Sequence, residues 1–220
     1  MPKPRSGPRS SDARLYGMQE RASHLDFDIR FEGARDVLAR PHRHEYFQIQ
    51  VSMAGGSQQV IGGALRPFSA GHLSFVLPYR LHVVPHPPDA RYAIVNFDQG
   101  FLWPELEVES LELEEVSIAR VPELAPFLFQ EYVDFDFDAA DFARILAWLD
   151  EMAALNQARG FGATAAIRGI LLQILALACA RHGDALRAQA SRHGGSSSRR
   201  DGLQRVMRYV REHLHEDMSL

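Results

Sequence analysis

The sequence predicts an α+β protein, a small β-barrel followed by a helical segment, and three observations carry that expectation. Between about residue 25 and residue 121, short apolar runs alternate with turn residues, and no helical period interrupts them. From Phe142 onward the apolar spacing becomes that of helices. Two histidine-bearing blocks lie in the strand-rich half, one running from Pro41 to Gln48 and the other from Pro67 to His82.

Taken in order, residues 1–22 are rich in Pro, Ser, Arg and Gly and read as a mobile basic tail. Strands are expected at 46–53, 58–61, 73–77, 81–84, 91–97 and 111–118. Gly55-Gly56, Gly62-Gly63, Pro67, Gly71, Pro78 and the run Pro85 to Pro88 separate them as breakers. Phe142, Ile145, Leu146, Leu149 and Met152 then mark a helix with one apolar stripe, which Gly160-Phe161-Gly162 ends. A second helix follows over about 164–189, where Ile167, Ile170, Leu171, Ile174, Leu175 and Ala178 make a face broad enough for contact between protomers. Residues 191–201 read as a Gly/Ser/Arg linker. Beyond it Leu203, Val206, Met207, Val210 and Leu214 recur at helical spacing.

Composition bounds the function. With 220 residues and 46% hydrophobic content, the chain can bury one sizeable core. A net charge of −4 argues against gripping a nucleic-acid backbone over a large surface. No run approaches the roughly 20 apolar residues of a membrane span, and the polar start lacks the apolar centre of a secretory signal. The single Cys179 has no partner for an internal disulfide and is expected as a small core residue. Walker loops, dinucleotide glycine fingerprints and serine elbows are absent.

His42 and His44, two apart on a strand, point the same way, and His82 can join them from a neighbouring strand. Three such nitrogens suit either a metal corner or a polar wall around a small molecule. Tyr46, Gln48 and Gln50 share the histidine face, whereas Phe47, Ile49 and Val51 share the other. On 91–97, Tyr92, Ile94 and Asn96 make a second candidate wall. His24, His72, His86 and His193 fall in turns or tails and are expected in solvent. Six glutamates between Glu105 and Glu115 read as a charged outer face.

Three stretches resemble one family. Pro41 to Gly56 is similar to the "P-H-x-H-x-x-x-Q-I…G" opening strand of AraC/XylS-type bacterial transcription regulators. Pro67 to His82 is similar to their "P-G-x-L-x-x-x-P-x-x-x-H" segment, with Gly71 as the turn glycine. Tyr209 to Leu220 resembles the "Y-I-x-E-N-L-x-E-x-L-S-L" run that opens the family's DNA-binding domain. The resemblance implies a cupin-like (jelly-roll) effector-binding barrel at 23–122, a helical homodimerisation region at 123–190, and the linker at 191–201. It further implies that 202–220 is the first helix of a truncated helix-turn-helix domain. DNA would then be contacted only through the missing part, in a cytoplasmic regulator with no enzymatic activity, no membrane contact and no required cofactor. The HxH likeness also favours the inward parity of the His44–Gln48 face. Metal-binding cupins usually carry a Glu where Gln48 stands, and Glu45 has the opposite strand parity. The missing anion weakens any hold on a divalent transition metal. For His42, His44 and His82, pocket lining is therefore the preferred reading, beside an occupied metal site and plain structural histidines. The rival function is a metal-dependent cupin enzyme, a dioxygenase or an isomerase.

Overall fold

β-Branched and aromatic runs on both sides of tight glycine turns build two sheets. The computed structural model describes residues 13–31, 40–88 and 90–194. The strands are β1 (Leu15–Tyr16), β2 (Phe27–Phe31), β3 (Arg43–His44), β4 (Phe47–Ala54), β5 (Gly56–Ile61), β6 (Ala64–Ser69), β7 (His72–Val76), β8 (His82–Val83), β9 (Arg91–Phe97) and β10 (Phe135–Asp136). The helices are α1 (Met18–Arg21), α2 (Gln99–Leu102), α3 (Ala125–Phe129), α4 (Ala139–Ala158) and α5 (Ala163–Gly194). One sheet has the order β10-β7-β4-β9-β2 and the other β6-β5-β8, while β1 pairs in parallel with β3. The hairpin between β5 and β6 turns on Gly62 and Gly63, both at positive φ (59° and 96°), which glycine adopts without a Cβ clash.

The central sheet has two chemically different faces. Antiparallel register sets Ile49 opposite Val95 and Phe75, and Val51 opposite Ala93 and Leu73. These side chains, with Phe47 and Phe97, face the helices and join one apolar cluster with Phe127, Ile145, Leu149, Met152, Ile167, Leu171 and Ile174. On the other face Gln48 sits opposite Asn96 and Val76, and Gln50 opposite Ile94 and Ser74. The barrel interior is therefore polar, and the hydrophobic core lies outside it, between sheet and helices.

α4 begins at Asp138, whose carboxylate accepts the N–H groups of Ala140 and Asp141. It ends at Arg159 in the left-handed region (φ 44°). The Arg159 guanidinium then bonds Asp26 at 3.0 Å and the Phe27 carbonyl at 3.0 Å, tying this turn to the start of β2. Between the two long helices, Asp141, 3% exposed, is paired with Arg181.

Several expectations are corrected. Residues 13–22 are not a loose tail: Glu45 N–H donates to the Tyr16 carbonyl, and Met18 is buried. Pro67 does not break the chain but sits within β6, an edge strand, where its missing N–H removes no ladder bond. Residues 111–118 form no strand; Leu113 and Val116, three apart, are buried around the 3₁₀ turn Leu113–Glu115. Residues 191–194 belong to α5 and not to a linker. The third expected helix, at 202–220, lies outside the described residues.

The largest correction concerns α5. Ile167, Ile170, Leu171, Ile174, Leu175 and Ala178, expected at a protomer contact, are at most 5% exposed because they pack with α3 and α4 within the same chain. By length and composition α5 is apolar enough to cross a membrane, but that apolar stripe is spent on this core. Ile174→Ala is thus expected to cost about 2–5 kcal/mol in stability. Denaturant titration measures this, and light scattering should show an unchanged oligomeric state at temperatures where the variant stays folded.

Candidate functional site

Three imidazoles gather at one end of the barrel. His42 and His82 are joined by a two-way main-chain bridge (3.0 and 3.1 Å), and their ring centroids lie 4.3 Å apart. The His44 ring stands edge-on to His82 at 4.6 Å and stacks on Tyr46 at 4.3 Å. Tyr16, on β1, meets His42 edge-on at 5.7 Å, so the amino-terminal segment covers this end.

Each imidazole is pinned from behind. The Nδ1 atoms of His42, His44 and His82 face the carbonyls of Arg40 (3.0 Å), Tyr46 (2.6 Å) and Arg80 (2.9 Å). A carbonyl only accepts, so each Nδ1 carries the proton and each Nε2 keeps a bare lone pair. Burial holds His44 well below the usual histidine range, and the neighbouring His82 and His42 add to the effect. Burial, then His42, pushes His82 down to about 3. These rings are neutral acceptors near pH 7.

Deeper in the barrel the polar side chains form a relay. Gln48 Nε2 donates to Asn96 Oδ1 at 2.9 Å, and Gln50 Nε2 donates to Gln48 Oε1 at 2.7 Å. His86 Nε2 reaches Gln50 Oε1 at 3.0 Å, while its ring stacks on Tyr92 with centroids 3.5 Å apart. The stacked pair is closed on one side by Phe68, 6.1 Å from His86. Ile94 lies on the same face, half-buried, opposite Gln50. His86, expected in solvent, is instead drawn inside, and burial pushes it down to about 4. His193 also departs from expectation and packs against Tyr132 at 4.8 Å.

Nine buried side-chain atoms among the described residues have no hydrogen-bond partner within the protein, and five of them lie on uncharged side chains of these walls: His44 Nε2, His82 Nε2, Gln59 Oε1, Ser74 Oγ and Asn96 Nδ2. All five residues are at most 1% exposed. An unpaired buried polar group costs about 1–3 kcal/mol, so several on one wall mark a surface built to meet something else. Gln59 and Ser74 escaped sequence reasoning; their signal was parity with Ile61 and Val76 on strands whose inner face was not assigned.

The same residues were tested as a metal centre. Among the described residues, no group of three or more His, Cys, Asp or Glu side chains is arranged to hold a metal ion. The donor chemistry agrees, since Gln48 is neutral and both ends of its amide are engaged by Asn96 and Gln50. Asp28, opposite Asn96, is a carboxylate on the polar face, and it is paired with Arg30 at 3.0 Å.

Residues 24–132 match the family model described as the AraC-like ligand binding domain. Among solved structures the chain is similar to a Cupin 2 conserved barrel domain protein from Salinispora arenicola, with 22% identity, a TM-score of 0.25, and coverage of 34% of this chain and 77% of that one. It is similar also to apo ToxT from Vibrio cholerae (9% identity, TM-score 0.36), covering 59% of this chain and 49% of ToxT. A cupin protein from Bacteroides fragilis aligns at 16% identity and a TM-score of 0.27, over 49% of this chain and 92% of that one. No curated protein matches the chain.

The histidines set a pH dependence. Their folded-state pKa values are depressed, so between the ordinary value near 6.5 and about 3 the unfolded chain binds protons that the folded His82 refuses. Stability should therefore fall as pH drops from about 6.5 toward about 3 and level off below it. Urea midpoints across that range measure the effect, and His82→Phe is expected to flatten the profile.

Proposed function

The chain belongs, over residues 24–132, to the AraC-like ligand-binding domain family, and we propose that it is the effector-sensing part of a transcription regulator. A small molecule enters the polar barrel and is held without being turned over. The observation that carries this reading is the set of five buried, partnerless polar atoms on the inner walls. Family membership supports it. No cofactor is required by the proposal, because among the described residues no His, Cys, Asp or Glu group is arranged to hold a redox or hydrolytic metal.

The regulatory step is a differential affinity. A ligand that binds one arrangement of barrel and helices better than another shifts the equilibrium between them by that difference alone. DNA contact belongs, in this proposal, to residues beyond the described part, and the protein works in the cytoplasm as a homodimer. Because the apolar stripe of α5 is buried in its own core, the proposed protomer contact falls on the opposite side. There Leu172 is 36% exposed, and Phe161 stands fully exposed just before the helix.

A broad small-molecule screen by thermal unfolding tests the sensing role. A ligand at about 100 times its Kd contributes about 2.7 kcal/mol, which should raise Tm by roughly 5–10 °C. Chromatography of the mixture should return the ligand unchanged, and conversion to a product would sink the non-enzymatic reading. Light scattering at micromolar concentration should give a dimer that Leu172→Arg dissociates; a monomeric parent would refute the contact.

A further inference from the structure

We propose that His182 is a positioning residue: it sets the bend of α5 from the β7–β10 edge of the barrel, and so aims the end of the helix, from which the chain runs on into 195–220. The inference rests on the reading of the barrel as a sensor and adds the joint through which its wall reaches the far end of α5.

α5 contains no proline, yet its backbone leaves helical geometry at His182, with φ −109° and ψ 15° against about −63° and −42° in a regular helix. A bend without proline has another local cause. Here the His182 ring is held from outside the helix. Its Nε2 donates to the Asp136 carbonyl at 3.1 Å, and the ring stands edge-on to Phe135 and Phe137, with centroids 5.0 and 5.4 Å away. Gly183, next in the chain, has no Cβ to oppose the change of direction. The two halves of α5 are tied to different surfaces. Before the bend, Arg181 pairs with Asp141 of α4. Beyond it, Leu186 is 3% exposed, and the His193 ring packs on Tyr132 at 4.8 Å and on Phe129 at 5.6 Å. A change of about 20° at His182 would displace Arg192, ten residues on at about 1.5 Å of rise each, by about 5 Å. That is enough to break the neighbouring His193–Tyr132 contact.

The anchor of His182 is itself part of the barrel sheet. In the β10–β7 pair Phe135 lies opposite Leu73 and Asp136 opposite His72, and Phe137 N–H donates to the Gly71 carbonyl at 3.1 Å. Phe135 also meets Phe75 edge-on at 4.8 Å. Between Leu73 and Phe75 stands Ser74, fully buried and opposite Gln50 on the polar inner wall. A guest that displaces β7 therefore moves the peptide that holds His182, and the end of α5 with it.

Distances between nitroxide spin labels on the full chain test the joint. The labels sit on Glu151→Cys in α4 and Arg192→Cys in α5, both exposed positions, in a Cys179→Ala background. Excess unlabelled protein ensures that only distances within one chain are read. His182→Leu keeps apolar bulk and removes the bond to Asp136. It is expected to displace the 151–192 distance by about 5 Å or to broaden it. A control pair on Glu151→Cys and Gln173→Cys, before the bend, should keep its distance and so report an intact fold. His182→Gln, which retains an N–H donor, is expected to restore the parent distribution. Ser74→Val, which adds bulk to the inner wall, is expected to shift the 151–192 pair in the parent and not in His182→Leu. An unchanged 151–192 distance in His182→Leu would overturn the proposal, as would a Ser74→Val shift that is absent from the parent or survives His182→Leu. All of these measurements are made without a ligand, so such an outcome leaves the sensing reading standing. An empty small-molecule screen, in turn, strikes that reading and not the bend.

Discussion

The register of β4 against its two neighbours is the constraint on which the rest depends. Because strand side chains alternate, β4 presents Gln48, Gln50 and Ser52 to one side and Phe47, Ile49 and Val51 to the other, and β7 and β9 match it position by position. A slip of one residue would put two amides and a hydroxyl into the helical core and three large apolar groups into the barrel. The aromatic layer makes such a slip costly. Phe47 stacks on Phe97 at 5.3 Å and meets Phe127 edge-on at 5.0 Å, and Phe75 meets Phe127 at 5.3 Å. Edge-to-face and offset contacts of this sort contribute about 0.5–1.5 kcal/mol each beyond the area they bury.

The loop between β7 and β8 joins the polar interior to the helical half. Pro78 and Tyr79 form a turn closed by Arg80 N–H on the Leu77 carbonyl at 3.2 Å, with Tyr79 at φ 60°. A tyrosine in the left-handed region is strained, and the Tyr79 N–H bond to the His44 carbonyl at 2.7 Å helps hold it there. Arg80 works at both ends: its carbonyl orients His82, and its guanidinium pairs with Glu131 and with Glu114 at 2.6 Å. Nearby, Gln130 reaches back to accept the Phe75 N–H at 2.7 Å. The ring that faces the cavity is thereby fixed by a residue whose side chain belongs to the helical connector.

Much of this was legible in the chain, for identifiable reasons. The parity of 46–51 followed from alternation alone, and the helical stripes of 142–152 and 164–189 from their spacing. What alternation could not supply was partnership. The broad face of α5 looks the same whether a second protomer or the chain's own helices cover it, and only the tertiary structure shows that α3 and α4 do. The His86 segment misled because Pro-rich runs usually lie in solvent; here the turn folds inward and the ring lies on Tyr92. Gln59 was hidden because β5 and β6 are short, glycine-flanked and weakly patterned, so neither face could be assigned in advance.

Separating the two faces also separates stability from recognition. The helix-side face is apolar and ring-packed, with Phe27, Phe47, Phe75, Phe97 and Phe135 all fully buried. It supplies enough cohesion for the inner face to remain under-satisfied. The inner face would be more stable if Gln59 and Ser74 were apolar, since each unpaired group opposes folding by about 1–3 kcal/mol. A protein that only needed to fold would gain by such replacements. One that must hold a polar guest needs these groups unpaired, and the aromatic layer on the far side of the same strands lets it keep them.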